Sequence, residues 1–217
     1  MSRGIFITFE GPDGAGKSTQ IRNLAEYIDK KGLPYVLTRE PGGTKISDAV
    51  RSILLDPDHG ELENETEVLL YAASRAQHVR EVIRPALAEG KIVLCDRFVD
   101  ASIAYQGHGL GVPIEDVVRV NRFATGGLVP DRTYLIDIPP EVARERLLQR
   151  TDGTGKPLLD RIERKGLDYH HRVRAGFQAI YRENKQRILW IDGNQPEAVV
   201  FRDIVADFQK RFESVER

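Results

Sequence analysis

Ile5-Phe6-Ile7-Thr8-Phe9-Glu10-Gly11-Pro12-Asp13-Gly14-Ala15-Gly16-Lys17-Ser18-Thr19 is a short apolar, β-rich run that breaks into Gly11-x-x-x-x-Gly16-Lys17-Ser18. Behind it, Ile21, Leu24, Ala25 and Ile28 keep helical spacing. The motif therefore lies on strand, loop and helix in the order that phosphate binding needs. Gly11, Gly14 and Gly16 let the backbone curl so that its N–H groups face phosphate oxygens. The positive end of the following helix adds to that field. Lys17 is then within reach of the β- and γ-phosphates, and the Ser18 hydroxyl suits Mg²⁺. The whole loop, with Pro12, Asp13, Ala15 and Thr19, is expected to wrap a nucleoside triphosphate. An ordinary glycine-rich turn before a helix is the plainer alternative.

Outward from this loop, β-like runs occur at Ile5–Glu10, Tyr35–Arg39, Lys91–Asp96, Thr133–Asp137 and Ile188–Asp192. Helical patterns separate them at 17–31, 44–55, 64–89, 113–125, 139–149, 160–184 and 196–213, with a kink expected at Pro85. Strands alternating with helices predict an α/β fold: a five-stranded parallel sheet with right-handed crossovers and helices on both faces. The segment 151–157 lacks periodicity and reads as a mobile loop, so a lid is expected around 150–160.

The 217 residues suffice for a single domain over 1–217, and no linker divides them. With 32 basic and 33 acidic residues, nothing suggests a nucleic-acid or anionic-membrane surface. The single cysteine, Cys95, ends an apolar run and reads as a buried small hydrophobe in a reducing cytoplasm. The chain enters its first strand almost at once and has no apolar stretch of membrane-spanning length, so neither a secretory leader nor a span is expected. The histidines at 59, 78, 108, 170 and 171 lack metal-ligand spacing and read as surface or packing residues.

Ligands of open α/β sheets bind beyond the carboxyl ends of the strands. Those ends carry Asp13, then Arg39-Glu40-Pro41, then Asp96-Arg97, which should converge on one cleft. A triphosphate loop alone fits a switch GTPase, a motor or regulatory ATPase, a small-molecule kinase or a nucleotide-switched binding module. Asn184-Lys185-Gln186-Arg187 has arginine where a guanine-reading acid belongs, which argues against the first. A second ligand site favours a kinase. Tyr71, Ser74 and Arg75 fall at i, i+3, i+4, and Ser102, Tyr105 and Gln106 repeat the spacing. These faces offer aromatic planes and hydrogen-bonding groups for a base, although two packed polar helix faces account for the same spacing.

Phe9 to Thr19, followed by Thr38-Arg39-Glu40-Pro41-Gly42-Gly43-Thr44, closely resembles bacterial thymidylate kinases. Tyr71-Ala72-Ala73-Ser74-Arg75, Cys95-Asp96-Arg97-Phe98, Ser102 to Gly107, Asp160-Arg161-Ile162-Glu163 and Asn194-Gln195-Pro196 extend the resemblance over nearly the whole chain. It implies a phosphate-loop nucleoside monophosphate kinase fold and transfer of the γ-phosphoryl of ATP to dTMP, with Mg²⁺ as cofactor. By resemblance, Tyr71 stacks on thymine, Arg75 and Gln106 hydrogen-bond it beside Ser102, and Tyr105 packs near the sugar 2′ position. Asp13 sits near the sugar 3′-hydroxyl. Arg39, Arg51 and Arg97 lie near the acceptor phosphate, Asp96 lies beside the metal, and Asn194, Gln195 and Pro196 flank the adenine. The resemblance also implies a cytoplasmic homodimer packed through its long helices.

Two departures stand out. Gly14 occupies a position where eukaryotic-type enzymes carry a catalytic arginine, so the lid should supply that charge from Arg150, Lys156 or Arg161. Leu110 follows the Tyr105-Gln106-Gly107 stretch where an arginine often stands. The chemistry itself asks for no general base, because a nucleoside monophosphate with its second pKa near ~6 is already mostly dianionic at neutral pH. It asks for in-line positioning and for cations between two anions.

Overall fold

The computed structural model describes residues 3–154 and 156–213. Gly155, inside the expected lid, lies outside the described residues, as do residues 1–2 and 214–217 of the expected domain. Five strands, β1 (Ile5–Glu10), β2 (Tyr35–Arg39), β3 (Ile92–Asp96), β4 (Arg132–Asp137) and β5 (Ile188–Asp192), form one sheet in the order β2-β3-β1-β4-β5. Every pairing is parallel. The phosphate-loop strand β1 is therefore central, and the chain reverses direction across the sheet beside it.

Alternation along the strands divides the core in two. Ile7 and Phe9 of β1, with Leu94, Tyr134 and Ile136, face Ile21, Leu24 and Ile28 of α1 (Lys17–Lys30) and Val200 and Ile204 of α9 (Glu197–Phe208). On the opposite face, Phe6, Val93 and Cys95 pack with Val79, Ile83 and Leu87. Leu135 and Ile188 pack with Tyr169, Val173 and Phe177 of α8 (Leu167–Glu183). Cys95 is fully buried, and that burial raises its thiol well above the ordinary value.

Helix continuity departs from the sequence pattern in four places, one of them the expected helix 196–213, which is α-helical over Glu197–Phe208 and π-helical over Gln209–Glu213. The expected helix 64–89 is α3 (Asn64–His78), a π-helical turn (Val79–Ile83) and α4 (Arg84–Ala88). The irregularity precedes Pro85 because proline has no N–H to return to Glu81, and the wider turn absorbs the missing bond. The expected helix 160–184 begins only at Leu167, because the Asp160 carboxylate accepts the N–H groups of Ile162 and Glu163 in a separate turn. Residues 99–109, assigned to no helix above, form α5 (Val99–Ser102) and a second π-helical turn (Ile103–Gly109). Two glycines masked that helix, and one of them is required. A Cβ on Gly109 would lie 2.7 Å from the Tyr169 ring of α8.

Between these elements lie α2 (Lys45–Leu55), α6 (Ile114–Thr125) and α7 (Pro140–Leu148). At the expected lid, Thr151 and Pro157 form an isolated antiparallel bridge. The Asp152 carboxylate gathers the Thr154 and Lys156 N–H groups.

Leu24 has no exposed surface and sits in the α1–sheet core. Leu24→Ala should lower unfolding free energy by about 2–5 kcal/mol. Urea denaturation checks this, and a loss below ~1 kcal/mol would show that the α1 interface is loosely packed.

Candidate active site

The loop begins where β1 ends. Gly11 has φ 129°, and a Cβ there would lie 2.0 Å from the Ile136 carbonyl oxygen, so no other residue fits. Gly16 is left-handed and caps α1, and its carbonyl accepts the Thr19 and Gln20 N–H groups of the first turn. Lys17 is buried and donates to the Gly11 and Pro12 carbonyls at 3.1 and 2.8 Å. Its burial, together with the charge of Arg97, lowers its pKa to about 8 against the pull of Asp13, Asp96 and Glu10. Ser18 donates to the Asp96 carboxylate at 2.9 Å.

Arg97 follows β3 in a left-handed conformation, φ 70°, the only non-glycine residue with positive φ among the described residues. Its N–H donates to the Phe9 carbonyl, and its guanidinium donates to Gly11 O at 3.0 Å, Asp13 at 2.6 Å and the Tyr105 hydroxyl at 3.0 Å. Tyr105 in turn donates to the other Asp13 oxygen at 2.9 Å. Burial alone would raise the Asp13 carboxyl. The charges of Arg97 and Lys17 and these two hydrogen bonds outweigh it and hold Asp13 well below the usual carboxylate range.

Two concavities meet at this triad. One is a pocket lined by Tyr71, Arg75, Ala101, Ser102, Tyr105 and Gln106, which combines aromatic and hydrogen-bonding groups. A wider cleft runs along the phosphate loop past Lys17, Ser18, Thr19, Arg39, Asp96, Arg146 and Arg150. Asp13, Glu40, Arg51, Leu55, Arg97 and Asp160 line both.

The pocket wall is a buried charge network. Glu40 takes Arg75 Nε at 2.6 Å on one oxygen and His78 Nδ1 at 2.9 Å on the other. Arg75 also donates to Ser102, Asn121 and the Phe98 carbonyl. Four of its five N–H groups are thus engaged, which leaves one for a ligand. Gln106 donates to Glu67 at 2.9 Å, so its amide oxygen remains to accept. Burial and the Glu67 charge raise the Tyr71 hydroxyl pKa, keeping the ring neutral.

A family model for thymidylate kinase matches residues 9–204. The chain is 50% identical to the thymidylate kinase of Exiguobacterium sibiricum over 96% of its own length and 97% of that protein's. It is 46% identical to that of Lactobacillus helveticus over 98% and 99%. The chain belongs to the thymidylate kinase family. The crystal structure of thymidylate kinase from Ehrlichia chaffeensis superposes with a TM-score of 0.74 at 33% identity, covering 95% of this chain and 99% of that one.

Within this family site the geometry corrects several expectations. Arg161 does not reach the phosphate cleft. It is buried and donates to Glu67 at 2.6 Å and to the Leu54 carbonyl at 2.8 Å, so it anchors the base of the lid. Lys156 is exposed and does not line the cleft. Of the three lid cations, only Arg150 does, paired with Glu163. Ser74 shares helical spacing with Arg75 yet points elsewhere: it accepts the Gly42 N–H and donates to the Ser47 carbonyl, tying α3 to the loop after β2. Asn194, Gln195 and Pro196 are exposed after β5 and do not line the cleft. Arg39 lies at its rim, paired with Asp48. Arg51 donates to the Pro41 carbonyl between the two concavities.

Arg146, which no sequence motif marks, donates to the Gly14 and Gly193 carbonyls and lines the cleft. It lies in the last turn of α7, four residues before Arg150, and that nearness to the lid cations was the available signal. Burial raises Asp160, also on both linings, to about 6.

Arg161→Ala removes the charged partner of Glu67, which is 1% exposed and would keep only the Gln106 amide. It should cost about 3–5 kcal/mol of stability, as breaking a buried pair does. Urea midpoints check this, and an unchanged midpoint would return Arg161 to the cleft as a free cation.

Proposed function

We infer that this chain transfers the γ-phosphoryl group of ATP to dTMP, giving dTDP and ADP, a step toward dTTP. The carrying observation is that a pocket with an aromatic wall opens onto a phosphate-loop cleft at Arg97, Asp13 and Arg51. Thymine stacks on Tyr71, its carbonyl edge meets the remaining Arg75 N–H, and Gln106 accepts from the ring N–H. Tyr105 flanks the sugar, and the dTMP phosphate lies toward Arg97 and Arg51. The triphosphate follows the loop with Lys17 at its β- and γ-phosphates.

A phosphate oxygen of dTMP forms the new bond to phosphorus as the bond to the β–γ bridging oxygen breaks, and ADP leaves with that electron pair. Lys17, Arg97 and Arg150 hold the equatorial charge and the two anions in line. For Arg150 this means exchanging Glu163 for phosphate as the lid around 150–160 of a single domain moves. Ser18 and Asp96 would hold Mg²⁺ through a hydroxyl and a carboxylate, donor types that suit this hard cation. When bound, the ion neutralises phosphate charge.

A homodimer in the cytoplasm accords with this reading. Ile46 and Ile53 on α2, Leu69 on α3 and Phe123 on α6 are exposed apolar residues on helices that pack together. Among the described residues no helix is long and apolar enough to cross a membrane.

Purified protein with ATP and a panel of dTMP, dCMP and dGMP should release ADP chiefly with dTMP. ATP binding without monophosphate-dependent ADP release would contradict the assignment. Tyr71→Ala should raise the dTMP requirement by about one to two decades, on the ~1–3 kcal/mol scale of base–aromatic stacking. Tyr71→Phe keeps the ring and should keep the dTMP requirement. Arg150→Ala should lower kcat by roughly a thousandfold, the scale of a phosphate-directed arginine. A mild effect would mean that Lys17 and Arg97 suffice.

A further inference from the structure

Glu10, the last residue of β1, has no exposed surface and takes no direct part in the chemistry above. One oxygen accepts the Phe98 N–H at 2.7 Å, and the other has no hydrogen-bond partner. A buried carboxyl with an idle oxygen is costly, and an apolar side chain would fill the space without that cost. The peptide it grips is the one that follows the left-handed Arg97. On the other side of that residue, the Arg97 N–H is fixed to the Phe9 carbonyl. The Phe98 carbonyl then accepts from Arg75.

We propose that Glu10 is a positioning residue for phosphoryl transfer: its hydrogen bond to Phe98 N–H locks Arg97 in the left-handed turn that aims the guanidinium at the phosphates. A non-glycine residue held there is strained by about 1–3 kcal/mol and persists only when its neighbours over-determine it. Phe9 O holds one flank of Arg97; on the other, Glu10 holds the Phe98 N–H, and the Cys95 thiol donates to the Arg97 carbonyl at 3.1 Å. Released from Glu10, the Phe98 peptide relaxes toward an ordinary conformation, and the Arg97 fork swings off Gly11 O and Asp13. Burial and the nearby Asp100 push the Glu10 carboxyl up to about 8 against Arg97, the Phe98 N–H and Lys17, so the acceptor role does not require a negative charge.

The inference rests on Arg97 acting at the phosphates, so the test includes Arg97→Ala. Steady-state kinetics with ATP and dTMP are measured for Glu10→Leu, Glu10→Gln, Arg97→Ala and the Glu10→Leu/Arg97→Ala double variant. Glu10→Leu removes the acceptor and should lower kcat by about a hundredfold, the cost of misplacing a group by ~1 Å, with the KM for ATP nearly unchanged. Glu10→Gln keeps an oxygen for Phe98 N–H and should restore most of that rate. In the double variant the leucine should cost little beyond Arg97→Ala alone, because the group it positions is gone. Glu10→Asp, one carbon short of Phe98 N–H, should reproduce the kcat loss and serves if the leucine protein does not fold.

The proposal is overturned if Glu10→Leu or Glu10→Asp turns over normally. It also fails if Glu10→Gln is as impaired as they are, or if the leucine loss is undiminished without Arg97. A silent Arg97→Ala would instead defeat the underlying reading of Arg97.

Discussion

The turn at Arg97 is the constraint on which the site depends. One residue in a costly backbone conformation lets a single guanidinium touch the phosphate loop at Gly11, the loop carboxylate Asp13 and the pocket tyrosine Tyr105. The donor cleft and the acceptor pocket thereby share one rigid wall. In-line transfer between two anions needs fixed cations more than it needs a base, and rigidity at this point supplies them.

The acceptor pocket is built around buried charge. Arg75 and Glu40 are each 2% exposed, and Glu67 is 1% exposed. A hydrophobic wall of the same shape would be at least as stable, since desolvation consumes most of what such pairs gain. What the charges provide is one geometry. With Glu40 held by both Arg75 and His78, and Arg75 by four acceptors, the one guanidinium N–H left for a ligand has a fixed direction. A site of that kind rejects a base that leaves its donor unpaired.

Much of this was legible in the chain. The phosphate loop announces itself because its glycines and Lys17 are local requirements of phosphate chemistry. The strands follow because runs such as Ile5–Glu10 must be apolar on both faces of a covered parallel sheet. Helical spacing put Tyr71 with Arg75, and Ser102 with Tyr105 and Gln106, on shared faces, and all five line the pocket. The same spacing failed for Ser74, since a period says which residues share a face and not which neighbour that face meets. Arg150 and Arg161 look alike in sequence. One lines the cleft and the other is buried against Glu67, a residue 94 positions away, and only the tertiary fold separates them. Arg146 escaped notice because it meets the loop through carbonyls of Gly14 and Gly193, which carry no side-chain signature.

The most direct measurement is a rapid-quench single turnover of Arg97→Lys with saturating ATP and dTMP. Lysine keeps the charge but not the planar fork that spans Gly11 O, Asp13 and Tyr105. If the fork is the shared wall of the two sites, phosphoryl transfer slows by about a hundredfold or more while both substrates still bind. A transfer rate equal to that of the unaltered protein would mean that any cation at this position suffices, and that the left-handed turn serves the fold and not the reaction.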